Sequence, residues 1–278
     1  MICFMGLTTI FLENSQQIQL KNIKIGMILE DGSVVVCVQK FSNSFPLYLY
    51  NSKIYVSGDH KVLENKKLIL VSESLLSIKT TCCPPYVYSI TTDTSHISIG
   101  GTIFIDFSQS KNVLINKTIN SLILNHWNNG INGYAEETNY LEQGFDGDTK
   151  IKLNNGNTRL MKDIIIGDVL ENNNMVIGKV YLNPKFFKFY EFGGVNVSSN
   201  TKVYDISYWK NIECVEHAGE LETKPKCVVN IATTSGMLII KNSYFLDYLE
   251  SRNNKVNIEI TKLGDIGYYA DKNFNIQN

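Results

Sequence analysis

Two side chains stand out for what they could do together, a thiol and an imidazole. Cys3 sits just before an apolar strand, and Ser57-Gly58-Asp59-His60 follows another strand later in the chain. Acyl transfer by cysteine needs the thiolate, or a neighbouring base that makes it, because a free thiol near neutral pH is barely ionised. Expelling an amide nitrogen also needs a group that protonates it as it leaves. Cys3 and His60 fill both roles if the fold brings them together. Each also has a plainer reading. A cysteine beside an N-terminal strand is a small buried hydrophobe, and a histidine after Gly58-Asp59 is an exposed or locally bonded loop residue.

The elements that must position this pair occur twice. Cys3-Phe-Met-Gly-Leu-Thr-Thr-Ile10 matches Gly144-Phe-Asp-Gly-Asp-Thr-Lys-Ile151, an offset of 141 residues. Lys21-Asn-Ile-Lys-Ile-Gly26 falls on Lys162-Asp-Ile-Ile-Ile-Gly167, and Val56-Ser57 with Lys61-Val62 falls on Val197-Ser198 with Lys202-Val203, at the same offset. Thr102–Phe107 falls on Ser243–Tyr248. Across residues 3–38, 13 of 36 positions are identical in the second copy. The chain therefore reads as two copies of about 105 residues each. The second copy keeps the scaffold but has Gly144 for Cys3 and Thr201 for His60. A thiol and an imidazole lost together look like one working site and a silent twin. Ser57, Ser198, Asp106 and Asp247 occur in both copies, which gives them a structural reading.

Each copy predicts an all-β fold. Val34–Val38 reads as a strand after the turn Glu30-Asp31-Gly32-Ser33, and Tyr86–Thr92 alternates with β-branched and aromatic residues. Ile97–Ile99, Gly100-Gly101 and Thr102–Ile105 predict a hairpin. Asn172-Asn173-Asn174 supplies the matching turn in the second copy. Ile115, Ile119, Leu122 and Ile123 fall at helical spacing and predict a short connecting helix over 111–127. Val256–Ile260 is a candidate further strand in an Asn-rich tail.

Composition narrows the function classes. With 278 residues, 44% hydrophobic and 19% charged, the chain can bury a core and is not a disordered polymer. Lys+Arg of 26 against Asp+Glu of 27 argues against a polybasic nucleic-acid or membrane-surface binder. No apolar window is long enough for a membrane-spanning helix, and the start lacks a basic segment and a cleavage site, so it reads as part of the fold. Cys3, Cys37, Cys82, Cys83, Cys214 and Cys227 show no C-x-x-C spacing, and with His60, His96, His126 and His217 they form no metal signature. Reduced thiols in a cytoplasm-like compartment follow, with Cys82-Cys83 an unbridged pair and no cofactor expected.

Several blocks resemble the hedgehog/intein (Hint) family. Cys3-Phe-x-Gly-x-Thr-x-Ile with Ile23-Lys-Ile-Gly26 is similar to its first block, and Ser57-x-x-His60 to its Thr-x-x-His block. Val87-Tyr88-Ser-Ile-Thr-Thr-x-x-x-His96 is similar to the later block written Tyr-Asp-Leu-Thr-Val followed by a His. Gly144-Phe-Asp-Gly-Asp-Thr-x-Ile repeats the first block without its cysteine. The doubled arrangement is most similar to sequences of large DNA viruses. The resemblance implies two tandem, horseshoe-shaped, pseudo-twofold β domains. The first, at 1–108, would hold a residual site. A linker with a short helix spans 109–143, a degenerate second domain 144–250, and a tail 251–278. It further implies that Cys3 attacks the Ile2 carbonyl in an N-to-S acyl shift. His60 would donate to the departing amide nitrogen, Ser57 would orient the peptide, and His96 would be a supporting polar group. The substrate would be the chain's own upstream polypeptide, in cis, with no nucleic acid or membrane as partner.

The departures from that family carry their own implications. An intein ends in His-Asn before Cys, Ser or Thr, whereas the matching stretch here is Phe104-Ile105-Asp106-Phe107. Asparagine cyclisation, and with it splicing, is not implied. Too few residues separate Val62 from Tyr86 to hold a homing endonuclease, and no sterol-binding region is recognisable. Only Met1-Ile2 precede Cys3, so cleavage would release a dipeptide. The expectation is either a fragment of a longer product or a cleavage that has lost its use. Two readings follow: cysteine-dependent autocleavage without splicing, or a catalytically inactive β scaffold acting in structure or partner binding.

Overall fold

A computed structural model describes residues 2–94, 96–105, 143–206 and 208–248. The helix expected over 111–127, the tail beyond 250, Asp106 and His126 lie outside them. The described chain is all-β, with only single 3-10 turns between strands. It divides into two compact units, Met1–Ser108 and Gln109–Asn278.

In unit 1 the strands are β1 (Phe4–Met5), β2 (Thr9–Phe11), β3 (Gln17–Gln19), β4 (Val35–Ser42), β5 (Tyr48–Tyr50), β6 (Ile54–Val56), β7 (Lys61–Glu64), β8 (Lys67–Leu70), β9 (Ser77–Lys79), β10 (Tyr86–Thr92), β11 (His96–Ile99) and β12 (Thr102–Ile105). One sheet runs in the order β4-β10-β1-β6-β5-β9, a second in the order β11-β12-β7-β8, and β2-β3 form a separate hairpin. Every pairing is antiparallel. Alternation drives β4: Val35, Cys37, Gln39 and Phe41 are buried while their neighbours are half-exposed, the period-2 pattern of a strand with one inward face. The β11–β12 hairpin turns on Gly100 and Gly101, at φ 56° and 78°. Positive φ at both central residues gives the strand-matching turn that glycine adopts without strain.

In unit 2 the strands are β13 (Phe145–Asp146), β14 (Lys150–Lys152), β15 (Thr158–Leu160), β16 (Val176–Leu182), β17 (Phe189–Phe192), β18 (Val195–Ser198), β19 (Lys202–Asp205), β20 (Tyr208–Asn211), β21 (Gly219–Glu220), β22 (Val228–Thr233), β23 (Met237–Ile240) and β24 (Ser243–Leu246). They repeat unit 1 element by element, with β21-β17-β18-β13-β22-β16 as the large sheet. The cores match position by position as well. Phe4, Ile10, Val56, Val62, Ile90 and Phe104 are buried in unit 1. Phe145, Ile151, Val197, Val203, Ile231 and Phe245, each 141 residues on, are buried in unit 2. Burying a side chain of this size stabilises the fold by about 1.5–3 kcal/mol, so the duplicated pattern maintains the duplicated backbone. No helix among the described residues is long and apolar enough to cross a membrane.

Candidate functional site

Strand β1 lies between β10 and β6, with Phe4 opposite Tyr88 on one side and Val56 on the other. Cys3, immediately before it, is fully buried. Its N–H donates to Ser57 Oγ at 3.0 Å, and its carbonyl accepts the Ser57 N–H at 2.8 Å. Both backbone polar groups of Cys3 thus end on one serine at the tip of β6. The turn then closes as His60 N–H donates to the Ser57 carbonyl at 3.1 Å. That turn sends the imidazole inward.

His60 is completely buried, which sets aside the plainer reading of an exposed loop histidine. Its ring centroid lies 4.4 Å from that of Phe4 and 5.4 Å from that of Phe104. Those two phenylalanines meet edge to face at 5.1 Å, the arrangement aromatic quadrupoles favour. Nε2 lies 2.9 Å from the Ile105 carbonyl. A carbonyl can only accept, which assigns the ring proton to Nε2 and leaves Nδ1 a lone pair. Nδ1 is buried and makes no hydrogen bond among the described residues. Burial pushes the imidazole pKa down from 6.5 to about 3, against the upward pull of the Ile105 carbonyl and of the nearby Cys3 backbone. In this resting state the ring is a neutral base. Its one N–H is committed to Ile105, so donation to the Cys3 nitrogen requires a proton first taken up on Nδ1.

Unit 2 shows what stands in this place where Gly144 and Thr201 replace Cys3 and His60. Gly144 N–H donates to Ser198 Oγ at 2.8 Å, and the Gly144 carbonyl accepts the Ser198 N–H at 2.9 Å. The serine therefore keeps its backbone role without a cysteine. Thr201 Oγ1 also accepts from Gly144 N–H at 3.1 Å and lies 3.2 Å from the Gly144 carbonyl. A hydroxyl thus satisfies both polar groups of residue 144 where unit 1 has an imidazole. The packing has closed as well. A Cβ added at Gly144 would stand 2.6 Å from Val228 Cγ1 and 3.1 Å from Leu182 Cδ1. Gly144→Ala is accordingly expected to cost about 1–3 kcal/mol, read as a lowered urea midpoint. An unchanged midpoint would show that the cavity adjusts freely.

His96 lies on β11, opposite Ile105. Its Nδ1 is 3.0 Å from the Thr94 carbonyl and its Nε2 is 3.5 Å from Asp31. Among the described residues these bonds lead to the turn around Asp31 and not to Cys3. In unit 2 its place is taken by Met237, whose carbonyl still accepts from Thr233 Oγ1 at 3.4 Å, as that of His96 does from Thr92 at 2.8 Å. The backbone is what both copies keep there. Asp247 is buried and accepts from the Thr233 N–H and hydroxyl, both at 2.5 Å, which matches its scaffold reading. All six cysteines are outside disulfides, Cys82 and Cys83 included. No group of three or more His, Cys, Asp or Glu among the described residues is arranged to hold a metal ion.

Sequence reasoning missed three parts of this site: the Ile105 carbonyl, the Phe4–Phe104 wall and the strand facing Cys3. The pairing of β1 with β10, once known, points to the last of them. No protein-family model matches the chain, and no curated protein matches its sequence.

Proposed function

We propose that unit 1 is an intein- or hedgehog-like self-processing domain that cleaves the Ile2–Cys3 peptide through a thioester, without splicing. The observation that carries this reading is the treatment of the Cys3 amide. The N–H of the nitrogen that must leave is held by Ser57 Oγ, beside a buried imidazole whose Nδ1 has no hydrogen bond among the described residues.

In the reaction the Cys3 sulfur attacks the Ile2 carbonyl carbon. A C–S bond forms and the carbonyl electrons move to oxygen. When the carbonyl re-forms, the C–N bond breaks and the Cys3 nitrogen leaves as an amine. The thiol proton ends on that nitrogen, and nothing is oxidised or reduced. His60 Nδ1 carries the proton between them, first as base and then as acid. Ser57 fixes the plane of the peptide, and His96 braces β11 beside Ile105. The substrate is the polypeptide upstream of Cys3, in cis, which suits a reducing, cytoplasm-like compartment, and the block pattern favours a viral source. Unit 2 is a silent β module of the same descent, since Gly144 and Thr201 supply neither thiol nor base.

The test is a reporter protein fused ahead of Met1 and incubated with hydroxylamine. Mass spectrometry is expected to find the reporter ending in Ile2 hydroxamate and a chain beginning at Cys3. Release no faster than from Cys3→Ala would end the proposal.

A further inference from the structure

Unit 2 grips its counterpart of the scissile peptide at both edges. The Gln143 carbonyl accepts from Asn230 Nδ2 at 3.1 Å, while Gly144 N–H on the opposite edge donates to Ser198 and Thr201. The sheet register explains why Asn230 is within reach. Phe145 pairs with Val229 and Asp146 with Val228, so one step further sets Asn230 opposite Gly144. Unit 1 has the same register: Phe4 pairs with Tyr88 and Met5 with Val87, which sets Ser89 opposite Cys3. Residues opposite each other on antiparallel strands point to the same face.

Ser89 is fully buried, and its hydroxyl has no hydrogen-bond partner among the described residues. Buried hydroxyls are nearly always satisfied, so each exception calls for a reason. Unit 2 supplies one. The position 141 residues on holds a donor whose hydrogen bond goes to the carbonyl of the residue before the site. Serine is shorter than asparagine, which suits a donor that stays unbonded at rest.

We infer that Ser89 is a catalytic residue, the hydroxyl that donates to the oxyanion formed on the Ile2 carbonyl oxygen. This rests on the cleavage proposed above and adds a residue to it. The serine keeps its proton throughout: Oγ–H donates as negative charge grows on oxygen, and the bond weakens again as the carbonyl re-forms. A donor without a resting partner stabilises the tetrahedral state and not the ground state, and only that difference accelerates the step. Ser57 on the nitrogen edge and Ser89 on the oxygen edge then complete the two-sided grip that unit 2 shows with Ser198 and Asn230.

The reporter fusion tests this with Ser89→Ala, Ser89→Asn and Cys3→Ala beside the wild type. Ser89→Ala is expected to cleave about a hundredfold more slowly, the usual loss for one oxyanion donor. Its melting temperature should be equal or higher, because an unsatisfied hydroxyl has been removed. Ser89→Asn, carrying unit 2's donor, is expected to recover part of the rate, because a hydrogen bond already made to the carbonyl at rest still strengthens as negative charge grows on its oxygen. Wild-type cleavage in Ser89→Ala overturns the role of Ser89 and leaves the thioester chemistry standing. A slow Ser89→Ala that melts early and is not rescued by asparagine overturns it too. A wild type no faster than Cys3→Ala removes the cleavage itself, and Ser89 with it.

Discussion

In the reporter fusion His60→Phe is expected to release reporter about a thousandfold more slowly than the wild type, and Cys3→Ala to release none. The first effect isolates the proton carrier. Phenylalanine fills the space between Phe4 and Phe104 with a ring of similar shape, so packing is retained. It removes Nδ1, the atom that in the proposed mechanism takes the thiol proton and returns it to the Cys3 nitrogen. It also leaves the Ile105 carbonyl without the 2.9 Å bond from Nε2, at a cost of about 1 kcal/mol. That loss is offset because a buried ring nitrogen with no hydrogen bond disappears as well. Thermal melts should thus change little while gel-resolved cleavage collapses. Wild-type rates in His60→Phe would strip the imidazole of its role and leave the thiol to react alone. Equal rates in Cys3→Ala would mean hydroxylamine is cutting elsewhere.

The repeat was the most legible feature of the sequence, and the reason is physical. Core positions such as Phe4 and Phe145, or Phe104 and Phe245, are buried at matching places, and a packed interior tolerates few residue types. Glycines at tight turns kept their meaning as well, since Gly100-Gly101 closes the expected hairpin. The site was legible only as a list of residue types. The sequence names Cys3, Ser57 and His60, but their relation depends on a long-range pairing of β1 with both β6 and β10. The environment of His60 was the part its neighbours in sequence left undecided. A turn containing Gly58-Asp59 suggests solvent, yet the chain re-enters the core one residue later, because Lys61–Glu64 must pair with both β8 and β12. The partner of Nε2 is a main-chain oxygen, and a backbone acceptor leaves no mark in residue identity. Ser89 falls where the resembling family block has Asp, but a serine there names no partner until the register sets it opposite Cys3. For His96, the family resemblance implied a supporting polar group, whereas the residues alone read as a strand-end histidine held by backbone, and its ring bonds lead to the Thr94 carbonyl and to Asp31.

Burial of His60 also sets how the protein responds to acid. The unfolded chain protonates this imidazole near the ordinary 6.5, while the folded chain holds it neutral down to about 3. The unfolded state therefore binds the proton more readily at every pH between those values, and stability falls as pH drops through that window. Above 6.5 both states are neutral and the effect vanishes. Within the window the loss approaches about 1.4 kcal/mol per pH unit, or roughly 4 to 5 kcal/mol in full, a large part of the stability of an ordinary domain. Carboxylates contribute mainly at the acid end, below about pH 5, so the first unit and a half below 6.5 reports His60 alone among the described buried groups. Urea midpoints measured by tryptophan-independent circular dichroism are expected to be level above 6.5 and to decline steadily below it. In His60→Phe the same midpoints should stay level until the carboxylates begin to titrate. A wild-type profile as flat as that of His60→Phe over this range would mean that the ring takes up its proton without leaving the Phe4–Phe104 wall, and the neutral resting base on which the proton transfer depends would be lost.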